Sequence, residues 1–177
     1  MFFLLLFLSL CGRRPYVCPF PGGSCKWQGS LDQVTSHLVY WHESPICEGE
    51  HIVLQATDIN VPDALNWVMV QSCFGHHFMV VLKKQEKYDG YQQFFAMVQL
   101  MGSQAQADKF IYRLELNGHK RRLTWEAPPR IIRTGVQAVI VNSDCLVFDS
   151  SMAQLFAYSG NLVIEVTIFL SVQNHTE

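Results

Sequence analysis

The sequence predicts a mainly β protein, an antiparallel sandwich preceded by a small metal-held finger, and three observations point to it. From His51 onward, short runs of period-two hydrophobicity alternate with turn residues, the pattern of strands that bury one face. Several of those runs are apolar on both faces, as strands are in the middle of a layered β-fold or at an interface. Ahead of them, the stretch "CPFPGGSCKWQGSLDQVTSHLVYWH", residues 18 to 42, gathers two cysteines and two histidines.

Composition bounds the class. A chain of 177 residues can bury one sizeable core with a small satellite. With 49% hydrophobic and 12% aromatic residues it packs rather than staying disordered. Thirteen basic against fifteen acidic residues give a formal net charge of -2, scattered along the chain, and nothing in that balance points to a phosphate backbone as the partner.

The first ten residues, "MFFLLLFLSL", form an unbroken apolar run followed by Cys11, Gly12, Arg13 and Arg14. The run is shorter than the roughly 20 residues a bilayer span requires. A secretion signal wants positive charge before the apolar run, and here the arginines follow it. Two readings stay open, a signal or signal-anchor and a start foreign to the fold; residues 1–12 are set aside on the second.

In the cysteine–histidine stretch, six residues separate Cys18 from Cys25, eleven separate Cys25 from His37, and four separate His37 from His42. Zinc takes four sulfur or nitrogen donors at tetrahedral angles, and two ligand pairs joined by such a spacer supply them, first from a knuckle and then from a helix face. Ser30 is placed to cap that helix, and His42 falls where it ends. Trp27, Leu31, Val34 and Leu38 are expected to form a miniature core around the site. A Cys18–Cys25 disulfide with unrelated histidines, and chance spacing, are the competing readings. The first gap exceeds that of DNA-reading fingers and no basic recognition helix follows, so the finger reads as structural or protein-binding.

The β region follows in order. "NWVMVQSC", "HHFMVVLKK" and "YQQFFAMVQL" are the two-sided strands. "FIYRLEL" puts Phe110, Tyr112, Leu114 and Leu116 on one face with Arg113 and Glu115 on the other. Asn117–Gly118 suits a tight hairpin turn because both positions tolerate positive φ, and "RRLTWEA" returns with Leu123 and Trp125 inward. "GVQAVIVNSD" is either a short helix or, from its β-branched content, a strand. "DSSMAQLFAYSG" is expected as a helix capped by Asp149 or Ser150 and stopped by Gly160, and "NLVIEVTIFL" closes as a strand.

Independent catalysis has one set of candidates, Cys73 with His76 or His77 and Asp89 or Asp144 as orienting acid. Adjacent histidines on a strand point to opposite faces, and a thiol nucleophile needs an imidazole aimed at it. No phosphate-cradling glycine loop or nucleophile elbow is present. Packed strand residues are the expected role of Cys73 and His77.

The stretches "CPFPGGSCKWQGSL", "ATDINVP", "NWVMVQSCFGHHFMVVLKKQEKYDG", "YRLELNGHKRRLTWEAPPR" and "NSDCLVFDSSMAQLF" together resemble the Siah (seven in absentia homologue) family of RING-type ubiquitin ligases, from about Cys11 to Thr167. Family members run from a RING through two zinc fingers to a TRAF-like substrate-binding domain that dimerises. The resemblance implies a Siah-type finger at 13–43, with Cys18, Cys25, His37 and His42 on Zn2+, and a TRAF-like domain at 44–172. Cys11 then occupies the last ligand position of a first finger whose other ligands do not precede it, and no RING ligand set can be assembled from these residues. The family's substrates are proteins whose extended degron peptides, resembling Pro-x-Ala-x-Val-x-Pro, lie beside the first strand of the TRAF-like domain.

Carried over by position, Trp67 and Met69 match groove residues, with packing in the core as the competing reading. The chain departs from the family around them: Asn66 replaces an aspartate, Glu165 an asparagine, and "ESPICEGEH" is one residue shorter, with Pro45, Ile46 and Cys47 in place of threonine and leucine. Pro45 is expected to remove an amide donor from the edge strand and so weaken degron binding. The resemblance further implies homo- or heterodimers with relatives, a conjugating enzyme as partner only where a RING is supplied, neither nucleic acid nor membrane as partner, and a place in the cytoplasm with the nucleus as a second location. Two functions follow: a RING-less adaptor in ubiquitin-dependent degradation, or part of an active ligase. The chain purified as given is expected to form no ubiquitin conjugates on itself with activating enzyme, conjugating enzyme and ATP; self-modification on an immunoblot would contradict this.

Overall fold

The structure is a computed structural model that describes residues 14–172; the segment 1–12 and Cys11, with the expectations attached to them, lie outside the described residues. The finger is a short hairpin, β1 (Tyr16–Val17) against β2 (Gln28–Gly29), followed by helix α1 (Leu31–Trp41). Ser30 enters α1 from extended backbone and its amide donates to the Gln33 side chain at 3.1 Å, one arm of a capping box. The chain continues through β3 (Ile46–Glu48), β4 (His51–Ala56), β5 (Leu65–Cys73), β6 (His76–Tyr88) and β7 (Tyr91–Leu100). One turn of helix, α2 (Gln104–Ala107), leads to the hairpin β8 (Phe110–Gly118) and β9 (Arg121–Ala127). Then come β10 (Arg130–Ile131), a 3-10 turn (Ile132–Thr134), α3 (Val136–Val141), β11 (Leu146–Asp149), α4 (Ser150–Gln154) and β12 (Leu162–Leu170).

These strands form two layers. One sheet has the order β3-β5-β6-β7, with β10 and β11 both pairing along the far edge of β7; the other has the order β4-β12-β8-β9. β5, β6 and β7 make an antiparallel meander, whereas β3 pairs with β5 in parallel. Between the layers lies a core built from alternate residues, including Met69, Phe78, Val80, Leu82, Leu114 and Ile164.

The other face of β5–β7 is buried too, and this explains the two-sided apolar runs. Val68, Val70, Met79, Val81, Phe95 and Met97 form a second core with Val34 and Leu38 of α1 and with Val136, Val139 and Ile140 of α3. The finger therefore has no miniature core of its own. Val34 and Leu38 are fully buried against the sheet, with Trp27 and Leu31 packed at the margin. The same contact settles α3: valine and isoleucine at i, i+3 and i+4 give a helix one apolar face, and burying that face outweighs their weak helix preference.

Two local expectations are corrected. The β8–β9 turn is formed by His119 and Lys120, at φ 49° and 63°, one step beyond Asn117–Gly118, and Gly118 pairs with Arg121. Gly118 serves close packing instead, since a Cβ there would meet the Phe156 carbonyl oxygen at 3.0 Å. Helix α4 is capped by Asp149, whose carboxylate accepts from the Met152 amide at 2.7 Å, but it ends at Gln154, well before Gly160. If α1 shares the sheet's core, Leu38→Ala should destabilise the whole chain by about 2–5 kcal/mol; urea unfolding of the zinc-loaded protein, followed by strand signal, checks this.

Candidate functional site

Local structure converges the four predicted ligands. Cys18 follows β1 and its amide donates to the Trp27 carbonyl at 3.2 Å, which closes the knuckle. The chain reverses at Gly22 and Gly23, φ 126° and 70°, and delivers Cys25 opposite. In a continuous helix, residues five apart point about 140° away from each other. His42 escapes that divergence because α1 stops at Trp41 and His42 is its C-cap, at φ -99° and ψ 2°.

The result is a compact donor set. His42 Nε2 and His37 Nε2 each lie 3.1 Å from Cys18 Sγ, Cys25 Sγ is 3.5 Å from His37 Nε2, and all four donor atoms fall within 4.8 Å of one another. Ordinary zinc bonds, about 2.3 Å to sulfur and 2.0–2.1 Å to nitrogen, place tetrahedral donors about 3.6 Å apart. Two soft sulfurs and two imidazoles at that spacing fit Zn2+.

The environment favours the ligating forms of the histidines. Burial lowers the pKa of both, and at His37 the neighbouring His42 lowers it further, so each imidazole is neutral and able to donate its lone pair. Burial pushes the Cys18 thiol up to about 11, against a bond from the Phe20 amide. Without metal that thiol keeps its proton, so zinc binding releases it and weakens as pH falls.

Two aromatic rings orient the ligands. Phe20 stacks on His42 with centroids 4.3 Å apart, and Trp27 stacks on His37 at 4.4 Å. Sequence reading placed Trp27 only as packing and did not single out Phe20; the available signal was an aromatic two residues from each cysteine.

The predicted groove residues divide between faces. Trp67, Met69 and Cys47 lie together on the core side of the β3–β5 edge, Met69 buried and the other two half-buried. Asn66 points to the opposite face of β5, where its Nδ2 donates to the Pro21 carbonyl of the finger at 3.4 Å. Glu165 sits on the outer face of the four-stranded sheet and accepts from Asn117 Nδ2 at 2.9 Å. A residue not foreseen, Gln71, is completely buried beside Cys47 and donates to the carbonyls of Gly49 and Glu50 at 2.9 and 3.0 Å. A glutamine within the apolar run "NWVMVQSC" was its signal.

β3 is the terminal strand of its sheet. Its ladder uses the Pro45 carbonyl, which accepts from Val70 at 2.8 Å, and the Gly49 amide, which donates to Ser72 at 2.9 Å. Because backbone groups alternate sides along a strand, Ile46 and Glu48 aim their amides and carbonyls outward. The nitrogen of Pro45 faces β5. The expected loss of an outward donor therefore does not occur, and the edge keeps its donors at Ile46 and Glu48.

Cys73 and His76 are register partners across β5 and β6, yet burial and the Glu50 charge push the Cys73 thiol up to about 11. His76 packs edge-on to Phe110 at 5.4 Å, and Asp144 is engaged by Arg130. Among the described residues no helix is long and apolar enough to cross a membrane.

Residues 71–167 match the family described as "Sina, TRAF-like domain" and residues 8–54 match "Sina, zinc finger". The chain belongs to the Sina family. Its relatives include "E3 ubiquitin-protein ligase sina" of Drosophila melanogaster, 66% identical over 161 residues that cover 90% of this chain and 51% of that protein. "E3 ubiquitin-protein ligase SIAH2" of Homo sapiens is 65% identical over 161 residues, 90% of this chain and 50% of that protein. The Sina chain thus spans about half the length of the curated relatives it matches. Its sandwich is TRAF-like, and its Cys/His cluster, compatible with zinc, lies within the matched Sina zinc finger.

Purified from zinc-supplemented medium, the protein should carry one zinc per chain by plasma emission spectrometry, and Cys25→Ser should lose most of it. Full zinc content in Cys25→Ser would remove the cysteine from the ligand set.

Proposed function

We propose that this Sina-family chain is a substrate-binding adaptor of the ubiquitin–proteasome pathway, taking extended degron peptides by strand addition at the open edge of β3. The observation that supports this most directly is the edge itself: a terminal strand whose Ile46 and Glu48 backbone groups face outward, beside half-buried Trp67 and Cys47. Outward amides and carbonyls supply affinity without regard to sequence, and apolar side chains beside them supply choice. The adaptor pairs with itself or with ligase relatives in the cytoplasm and nucleus, and so directs or withholds substrates from degradation.

A second reading shares the same edge. The chain matches about half of relatives named as E3 ubiquitin-protein ligases, and on this reading it is the substrate-binding part of such a ligase, with a RING supplied elsewhere to bring the conjugating enzyme. A longer transcript joining a cysteine-rich segment in frame before Arg14 would favour that reading over the adaptor.

Strand addition is tested by fluorescence anisotropy with a labelled Pro-x-Ala-x-Val-x-Pro peptide and the full chain. Ile46→Pro deletes one outward donor on an edge that tolerates proline. It should weaken binding about fivefold, the equivalent of one net hydrogen bond near 1 kcal/mol, with zinc content and melting temperature preserved. Unchanged affinity would move the peptide elsewhere. Ile46→Pro is a cleaner probe than Met69→Ala, because Met69 is core and its truncation acts on stability as well.

A further inference from the structure

β5 carries Trp67 and Met69 toward the sandwich interior and Val68 and Val70 toward the finger, where they are buried with Val34 and Leu38 of α1. A single strand therefore stands between the finger's packing surface and the candidate groove. A second connection is covalent. His42, a ligand, caps α1, and four residues later Ile46 begins β3, the strand with the open edge. Between them Glu43 turns the chain at φ 53°, buried Ser44 donates its amide to the Leu38 carbonyl at 3.0 Å, and the Pro45 carbonyl accepts from Val70 at 2.8 Å. The end of the metal-held helix and the start of the edge strand are thus tied to each other and to β5.

We propose that metal loading of the finger and peptide binding at the β3 edge are energetically linked, each tightening the other through β3 and β5. The linkage rests on the peptide-binding reading and adds its control. A finger this small draws its folding energy from its metal. When the ligand set is empty, α1 loses the two points that hold its end, Val68 and Val70 lose their cover, and β3 loses its anchor at Ser44. A peptide arriving at such an edge must order it, and that ordering is subtracted from affinity. Reciprocity then requires the bound peptide to strengthen zinc retention by the same factor.

The test uses the full chain. Zinc affinity is measured by competition with a chromophoric chelator, with and without saturating Pro-x-Ala-x-Val-x-Pro peptide. Hydrogen exchange is followed by mass spectrometry in the loaded and the chelator-stripped protein without peptide. The peptide should strengthen zinc retention fivefold or more. Stripping should speed exchange tenfold or more across residues 46–48 and 65–73 as well as across α1, and unfolding of the entire sandwich on stripping is the limiting form of that result. Unchanged exchange in β3 and β5 while α1 exchanges freely, or unchanged zinc affinity with a peptide that binds, overturns the linkage alone. A peptide that fails to bind the loaded protein overturns the linkage together with the peptide-binding reading.

Discussion

Burial of both faces of the β5–β6–β7 meander is the constraint on which the rest of this structure depends. Strands with apolar residues on both sides cannot leave either face in water, so one face takes the four-stranded sheet and the other takes α1 of the finger together with α3. The finger needs that contact as much as the sheet does. Its helix of eleven residues is too short to be stable alone in water, and its two fully buried apolar residues, Val34 and Leu38, are both spent on the sheet. The donor set at His37 and His42 and the sheet beneath Val34 and Leu38 therefore both bear on α1, one at its C-terminal end and the other along its buried side. Smaller contacts fix the seat: Arg133 lies over the Tyr16 ring at 3.7 Å, and Thr35 Oγ1 donates to Met101 Sδ at 3.3 Å.

What could be read from the sequence was whatever local spacing encodes. The convergence of Cys18, Cys25, His37 and His42 was legible because zinc chemistry restricts its ligands to a few residue types at a few separations. β8 was legible because Phe110, Tyr112, Leu114 and Leu116 alternate with polar residues, and the structure buries all four. The identity of what covers the second face was not legible, since apolar residues on both sides of a strand announce burial without naming the partner. Nor was the packing role of Gly118, because its neighbour Phe156 is distant in sequence. Glu165 is different. In "NLVIEVTIFL" the alternation of Leu162, Ile164, Val166 and Ile168 already places Glu165 on the outer face, and a positional likeness to relatives obscured a parity the residues themselves display. Pro45 teaches the same lesson about the backbone: its effect depends on which side its nitrogen faces, and that is set by pairing with β5.

A sheet apolar on both faces raises a further question, because its hydrophobic pattern cannot choose a register. A slip of one residue would exchange the faces at little cost in burial. Each of the three strands carries one buried polar side chain that breaks the degeneracy: Gln71 in β5, Lys84 in β6 and Gln99 in β7. Gln71 reaches the Gly49 and Glu50 carbonyls, Lys84 Nζ reaches the carbonyl of Ile59 at 3.2 Å and that of Val61, and Gln99 Nε2 reaches the Ile131 carbonyl at 3.4 Å. Burial lowers the pKa of Lys84, so its placement costs stability that its two carbonyl partners offset. In this register the Nε2 groups and Nζ find carbonyls, although the Oε1 atoms of Gln71 and Gln99 are buried without a partner; a slip that lost those carbonyls would leave the donors unpaired as well, at about 1–3 kcal/mol apiece. Every one of their partners lies outside the meander: in the β3–β4 corner, in the loop ahead of β5, and in β10. The polar residues thus register the strands and in the same act fasten the surrounding chain, including the corner that follows the open edge at β3.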